Sequence, residues 1–146
     1  MIVISNKIRS FVNFQKLGYV ATVSSDNSPN LSPKGTIIAI DESHLAFADI
    51  RSPQTIENLR HNSSIEINVV DPIRRKGFRF KGTGKIISEG KQFKKILVQY
   101  EKNGIKSKIN SIVIVSVETL SEVSSPSYDL GMTEDELISK WKEYYQ

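Results

Sequence analysis

Branching at Cβ dominates the apolar residues of this chain: 19 Ile and 11 Val stand against 8 Leu and 4 Ala. Two heavy substituents on Cβ stiffen a side chain, lower its helix propensity and suit it to a pleated sheet. The sequence therefore reads as β-rich, with a few helices attached. Its 146 residues suffice for one domain with its own hydrophobic core. The longest apolar runs, such as Ile37–Ile40 and Ile112–Val115, are far too short for a membrane-spanning helix. Lys7 and Arg9 interrupt the apolar pattern of Met1–Val12, so a secretory signal is not expected and the cytoplasm is the default location. Zero cysteines exclude disulfides, thiolate metal sites and a cysteine nucleophile. A net charge of +4 leans toward anionic ligands without implying nucleic acid.

Periodicity and turn residues divide the chain. Asn6–Lys16 places Ile8, Phe11 and Val12 at helical spacing behind Ser5 as N-cap, with Gly18 ending the helix. Tyr19–Ser25, Asn30–Ile40 and His44–Asp49 read as three strands separated by the turns Asp26–Pro29 and Asp41–Ser43. Short turns between strands predict an antiparallel meander. Ser52-Pro53 starts a helix that ends near His61-Asn62 and turns Ile56 and Leu59 toward the sheet. Ser64–Val70 and Phe78–Ile87 are strands around a basic loop, Arg74-Arg75-Lys76-Gly77, which is taken to be solvated. Lys91–Lys102 has helical spacing, and Ile109–Val123 is a long final strand. Residues 124–146 form a tail. Ser124–Ser127 resembles a linker, and Thr133-Glu134-Asp135-Glu136 is a capping-box pattern before a Leu137, Trp141, Tyr144 stripe. The expectation is a single domain over 1–146, a small six-stranded β-barrel with helical decoration.

Two stretches carry the chemistry. At Asp49-Ile50-Arg51-Ser52-Pro53-Gln54-Thr55 a strand delivers the chain to a helix N-terminus. Unpaired backbone N–H groups and the positive end of the helix dipole suit a phosphate there. The Ser52 and Thr55 hydroxyls and the Gln54 amide can add donors, and Arg51 can neutralise charge bidentately. The alternative is a plain helix cap beside a solvated Arg. Within the second stretch, Ser32-Pro33-Lys34-Gly35-Thr36, Pro and Gly interrupt a strand, as they do at bulges and where a ligand approaches backbone. If these two strands pair as a hairpin, Lys34 becomes the second cation near the first site; otherwise it is an exposed Lys on a barrel corner. His44 and His61 are too far apart for a local metal motif, and no metal site is expected.

Together with Gly18–Val23 and Phe78–Gly84, these stretches make the chain resemble the pyridoxamine 5'-phosphate oxidase-like FMN-binding split barrels, from about Leu17 to Val123 and into the Ser125–Asp129 tail. The resemblance implies a mainly β, six-stranded antiparallel split barrel, assembled as a homodimer with FMN in clefts at the interface. It implies that Lys34, Gly35, Thr36 and Ile37 run along the ribityl chain and flavin ring, and that Asp49, Arg51, Ser52, Gln54 and Thr55 hold the phosphate. Many relatives carry a Lys near Gln54 or Thr55. This chain has none there, which shifts phosphate neutralisation to Arg51 and Lys34. Relatives that oxidise pyridoxamine phosphate end in an Arg- and His-bearing segment, whereas this chain ends Trp141–Gln146 with neither, so that reaction is not expected. Three readings stay open: a flavin-dependent oxidoreductase acting on an unidentified small molecule, a flavin-binding protein without turnover, and a deazaflavin- or haem-binding member of the same superfamily.

Overall fold

The computed structural model describes residues 2–146; Met1 lies outside them. The elements are α1 (Asn6–Gln15), β1 (Gly18–Val23), β2 (Pro29–Lys34), β3 (Ile38–Ala39), β4 (His44–Asp49), α2 (Pro53–His61), β5 (Ser64–Asp71), β6 (Lys76–Ile87), α3 (Lys91–Lys102), β7 (Ser111–Ser124) and α4 (Glu134–Tyr145). The seven strands form one sheet in the order β2-β1-β5-β6-β7-β4-β3. Every pairing is antiparallel.

Two expectations need correction. The stretch Asn30–Ile40 is two strands rather than one, so the sheet has seven strands instead of six. Gly35, Thr36 and Ile37 leave the ladder between β2 and β3, and the prolines at 29 and 33 sit on an edge strand, where a missing N–H is tolerated. Nor is the order a simple meander. After the β3–β4 hairpin, α2 carries the chain across the barrel, so that β5 pairs with β1 and β7 returns to pair with β4. β2 and β3 are therefore opposite edges of the sheet, yet only three residues separate them along the chain. A sheet whose two edges are joined so closely must curl until they meet, which gives the split barrel.

The barrel interior holds Val20, Ile37, Leu45, Phe47, Ile67, Val69, Phe80, Val113 and Val115, with Val12 of α1 and Ile56 and Leu59 of α2 packed on them. A second cluster lies outside, where Ile96 and Tyr100 of α3 cover Ile38, Ala46, Ala48, Ile112 and Ile114. Burial on both faces explains the unbroken apolar runs of β4 and early β7, while β5, covered on one face, alternates cleanly. Each fully buried large apolar side chain contributes about 1.5–3 kcal/mol.

Helix ends follow side-chain chemistry. Ser5 Oγ accepts from Ile8 N–H at 3.2 Å to cap α1. That helix ends at Lys16, which has φ of 61°, and Gly18 already belongs to β1. In α4, Thr133 Oγ1 accepts from Glu136 N–H at 3.2 Å and donates to the Glu136 carboxylate at 3.1 Å. The Leu137 side chain is fully buried, but Tyr144 is 71% exposed, so the expected three-residue stripe is buried at one end only. The linker-like Ser124–Ser127 closes β7 and opens a single 3-10 turn over Pro126–Tyr128. Among the described residues no helix is long and apolar enough to cross a membrane.

Candidate functional site

The seam between the sheet edges is where the two predicted stretches meet. Lys34, at the end of β2, extends its Nζ to Ser52 Oγ at 2.8 Å and to Ser32 Oγ at 2.9 Å. Lys34 and Ser52 are 8% and 7% exposed, so the lysine is largely shielded from water where it meets the cleft, with hydroxyls as the hydrogen-bond partners of its ammonium. Burial lowers the Lys34 pKa from its ordinary value, and the negative charge of Asp49 works against that shift. The expected hairpin is only half formed: Ile38 and Ala39 pair with β4, while Lys34 pairs with Gly18 of β1. Curling of the sheet, rather than direct pairing, brings Lys34 to Ser52.

Asp49 ends β4 and organises the turn into α2. One carboxylate oxygen accepts from Ser52 N–H at 3.1 Å and the other from the Ser111 hydroxyl at 3.0 Å, while its carbonyl accepts from Asn110 N–H at 2.9 Å. Ser52 stands at the N-cap of α2, but its side chain accepts no N–H of the helix. Instead its carbonyl accepts from Ile56 N–H and its hydroxyl serves Lys34, so no side chain caps α2. The first-turn N–H groups behind Pro53 are left for another acceptor. Arg51 is exposed beside them and makes no ion pair among the described residues.

A cleft of about 220 Å³ opens at this point, and Lys34, Gly35, Thr36, Arg51 and Ser52 line it together with Ser32, Pro33, Ala48 and Ile50. Gly35 has open space on its side-chain face: a Cβ there would meet nothing within 4 Å. Thr36 is tied from behind. Its Oγ1 accepts from Ala48 N–H at 2.9 Å and its carbonyl from the Tyr100 hydroxyl at 2.8 Å. The remaining predicted residues do not line the cleft. Ile37 turns its side chain into the barrel core, and Thr55 is 2% exposed. Gln54 Nε2 donates to Asn58 Oδ1 at 2.7 Å, and Asn58 in turn donates to Thr22 Oγ1 at 3.0 Å, a polar chain that docks α2 on β1. Sequence reasoning includes Ser32 in the second stretch without giving it a role and passes over Tyr100. Strand alternation places Ser32 on the face of Lys34 and could have found it; Tyr100 lies 64 residues from Thr36 and has no local signal.

Residues 4–122 match the family model of pyridoxamine 5'-phosphate oxidase. The chain belongs to this family. Among solved structures, HupZ of Group A Streptococcus superposes with a TM-score of 0.74 at 28% identity, over 83% of this chain and 94% of that one. A Lactobacillus delbrueckii protein named after pyridoxamine 5'-phosphate oxidase gives 0.70 at 21% identity, over 83% and 95%. An FMN-binding protein of Syntrophomonas wolfei gives 0.70 at 16%, over 82% and 85%. At such identities the last two show the shared fold. A search of curated proteins finds no match.

The residues present fit a phosphorylated flavin. A largely shielded ammonium, an arginine without an ion pair among the described residues and the uncapped start of a helix share one cleft, and the glycine beside them leaves bare backbone against which a flat ring can lie. His44 is remote from this chemistry; its Nδ1 lies 2.8 Å from Asp41 Oδ1. Among the described residues no group of His, Asp and Glu could hold a metal ion.

Proposed function

We propose that the chain is an FMN-binding flavoprotein of the oxidoreductase type. Lys34, Arg51, Ser52 and the first turn of α2 hold the phosphate, and the backbone of Gly35 and Thr36 carries the ribityl chain and ring. The buried Lys34 ammonium supports this reading most strongly, because a cation whose hydrogen bonds go only to hydroxyls gains from an incoming anion. When bound, FMN supplies the redox step, accepting or donating a hydride. The chain binds and orients it: no histidine or carboxylate lines the cleft.

The cleft of one chain, about 220 Å³, is smaller than the roughly 300–1,000 Å³ of ordinary small-molecule pockets. A second copy that supplies the other wall accounts for the shortfall. The outer face of β1 and β2 exposes Tyr19 and Leu31, at 46% and 68%, where such a copy can pack. The reading is thus a homodimer with a cofactor at each interface.

Titration with FMN and with riboflavin tests the assignment. Arg51→Ala and Lys34→Ala should each weaken FMN by about ten- to a hundredfold, or ~1.5–3 kcal/mol, and leave riboflavin affinity nearly unchanged. Parent-like FMN binding in both variants would place the site elsewhere. The absorbance of the purified protein separates flavin, deazaflavin and haem.

A further inference from the structure

The three residues that cross the seam belong to no ladder, and bonds from the end of α1, from β4 and from α3 hold them in place. Ile37 N–H donates to Lys16 carbonyl at 2.9 Å, Thr36 Oγ1 accepts from Ala48 N–H, and the Thr36 carbonyl accepts from Tyr100 Oη at 2.8 Å. Tyr100 is 1% exposed in the outer cluster, among Ile38, Ala46, Ile96 and Ile112. A phenylalanine would fill that apolar space equally well. The hydroxyl is the one part of the side chain the packing does not need, and among the described residues its one partner is the Thr36 carbonyl. Burial drives the Tyr100 pKa well above its ordinary value, which keeps the hydroxyl protonated as a fixed donor. With the Thr36 carbonyl and hydroxyl both drawn toward α3 and β4, the open face of Gly35 is left toward the cleft.

We propose that Tyr100 is a positioning residue for the cofactor: through the Thr36 carbonyl it fixes the strand crossing on which the flavin lies. This role rests on the FMN reading above. A helix on the far side of the sheet thereby sets the shape of a cleft it never enters. Removing the hydroxyl leaves a half-buried carbonyl without its partner and lets the crossing rotate.

Two measurements on Tyr100→Phe test this. In flavin-free protein, amide hydrogen exchange at residues 35–37 should speed up by about tenfold while the β6–β7 ladder stays protected. FMN and riboflavin should both weaken by about three- to tenfold, with their affinity ratio preserved. Arg51→Ala should instead change that ratio. Ile96→Val, which trims the same cluster without touching Thr36, should leave exchange at 35–37 as in the parent. Thr36→Val, which removes the acceptor of Ala48 N–H on the same segment, should reproduce the local exchange pattern and serves if Tyr100→Phe folds poorly. Unchanged exchange at 35–37, exchange raised evenly across the sheet, or flavin affinities equal to the parent would overturn the positioning role. An Arg51→Ala protein with parent-like FMN affinity would instead overturn the cofactor reading.

Discussion

A lysine largely shielded from water is a poor stabiliser, and Lys34 is such a residue. Its pKa is lowered, chiefly by burial, so as pH falls from about 10.5 the unfolded chain takes up its proton before the folded one. The group's contribution to stability therefore rises with pH through the window between the lowered value and 10.5, and at neutral pH its charge is a burden on the flavin-free fold. Affinity has the opposite slope. A bound phosphate favours the ammonium, so FMN binding should weaken as pH climbs through the same window while riboflavin binding stays flat; a parallel decline of both would disprove the phosphate–lysine contact. Two glycines separate space from strain. Gly35 has no positive φ and an empty side-chain direction, so Gly35→Val should melt within about 2 °C of the parent yet lose flavin binding. A Cβ at Gly82 would collide with the Ser116 carbonyl oxygen, beside the bulge between Lys81 and Gly82, so Gly82→Ala should destabilise by more than about 3 kcal/mol in denaturant melts. The sequence made Arg51 and Lys34 visible as charges near a helix start, but not the depth of Lys34, which depends on a curl of the sheet that no local pattern encodes.

Between elements, the tail and the β5–β6 turn were the least legible. The turn Arg74-Arg75-Lys76 reads as a solvated basic loop, yet every one of its residues is occupied. The Arg75 guanidinium lies 3.6 Å over the Trp141 ring and donates to the Tyr145 hydroxyl at 3.1 Å. Arg74 pairs with Asp71 and Glu134, each at 3.0 Å, and its carbonyl accepts from the Tyr128 hydroxyl at 2.6 Å, while Lys76 sits 4.3 Å over the Tyr128 ring. Partners more than fifty residues away leave no mark on a local window, whereas the α3 boundaries, set by its own apolar spacing, were read directly. Neither Tyr128 nor Trp141 lines the Lys34 cleft of its own chain. Arg75→Ala should cost about 1–2 kcal/mol and shift the emission of Trp141, the only tryptophan. Burial alone would raise the Asp71 pKa, but bonds from the Arg74 side chain and from the Arg74 and Ile73 N–H groups hold it below the usual value. Stability from Asp71 is thus complete above pH ~4 and is lost as pH falls through the lowered value. Trp141 emission should report that loss, and Asp71→Asn should abolish its pH dependence.

At the scale of the whole molecule, strand content followed from composition, but strand order did not: pairing of β1 with β5 and of β4 with β7 is decided by where α2 crosses, not by any turn. Since the tail grips its own barrel, truncation after Ser125 should lower thermal stability and leave FMN affinity per folded protein unchanged; selective loss of flavin would show instead that the tail closes over a cofactor. Light scattering at micromolar concentration should give a dimer, and a monomer would remove the second wall of the cleft. The bond from Lys34 to Ser52 has a further consequence, because it adds a side-chain tie across the seam that residues 35–37 cross covalently. A ligand seated on both residues acts as a removable rivet. At a hundredfold excess over its dissociation constant it should add about 2.7 kcal/mol, roughly 5–10 °C in melting temperature for a protein of this size. Its loss would make the empty barrel the form that cellular proteases open first, so the supply of cofactor would govern how much of this protein a cell keeps.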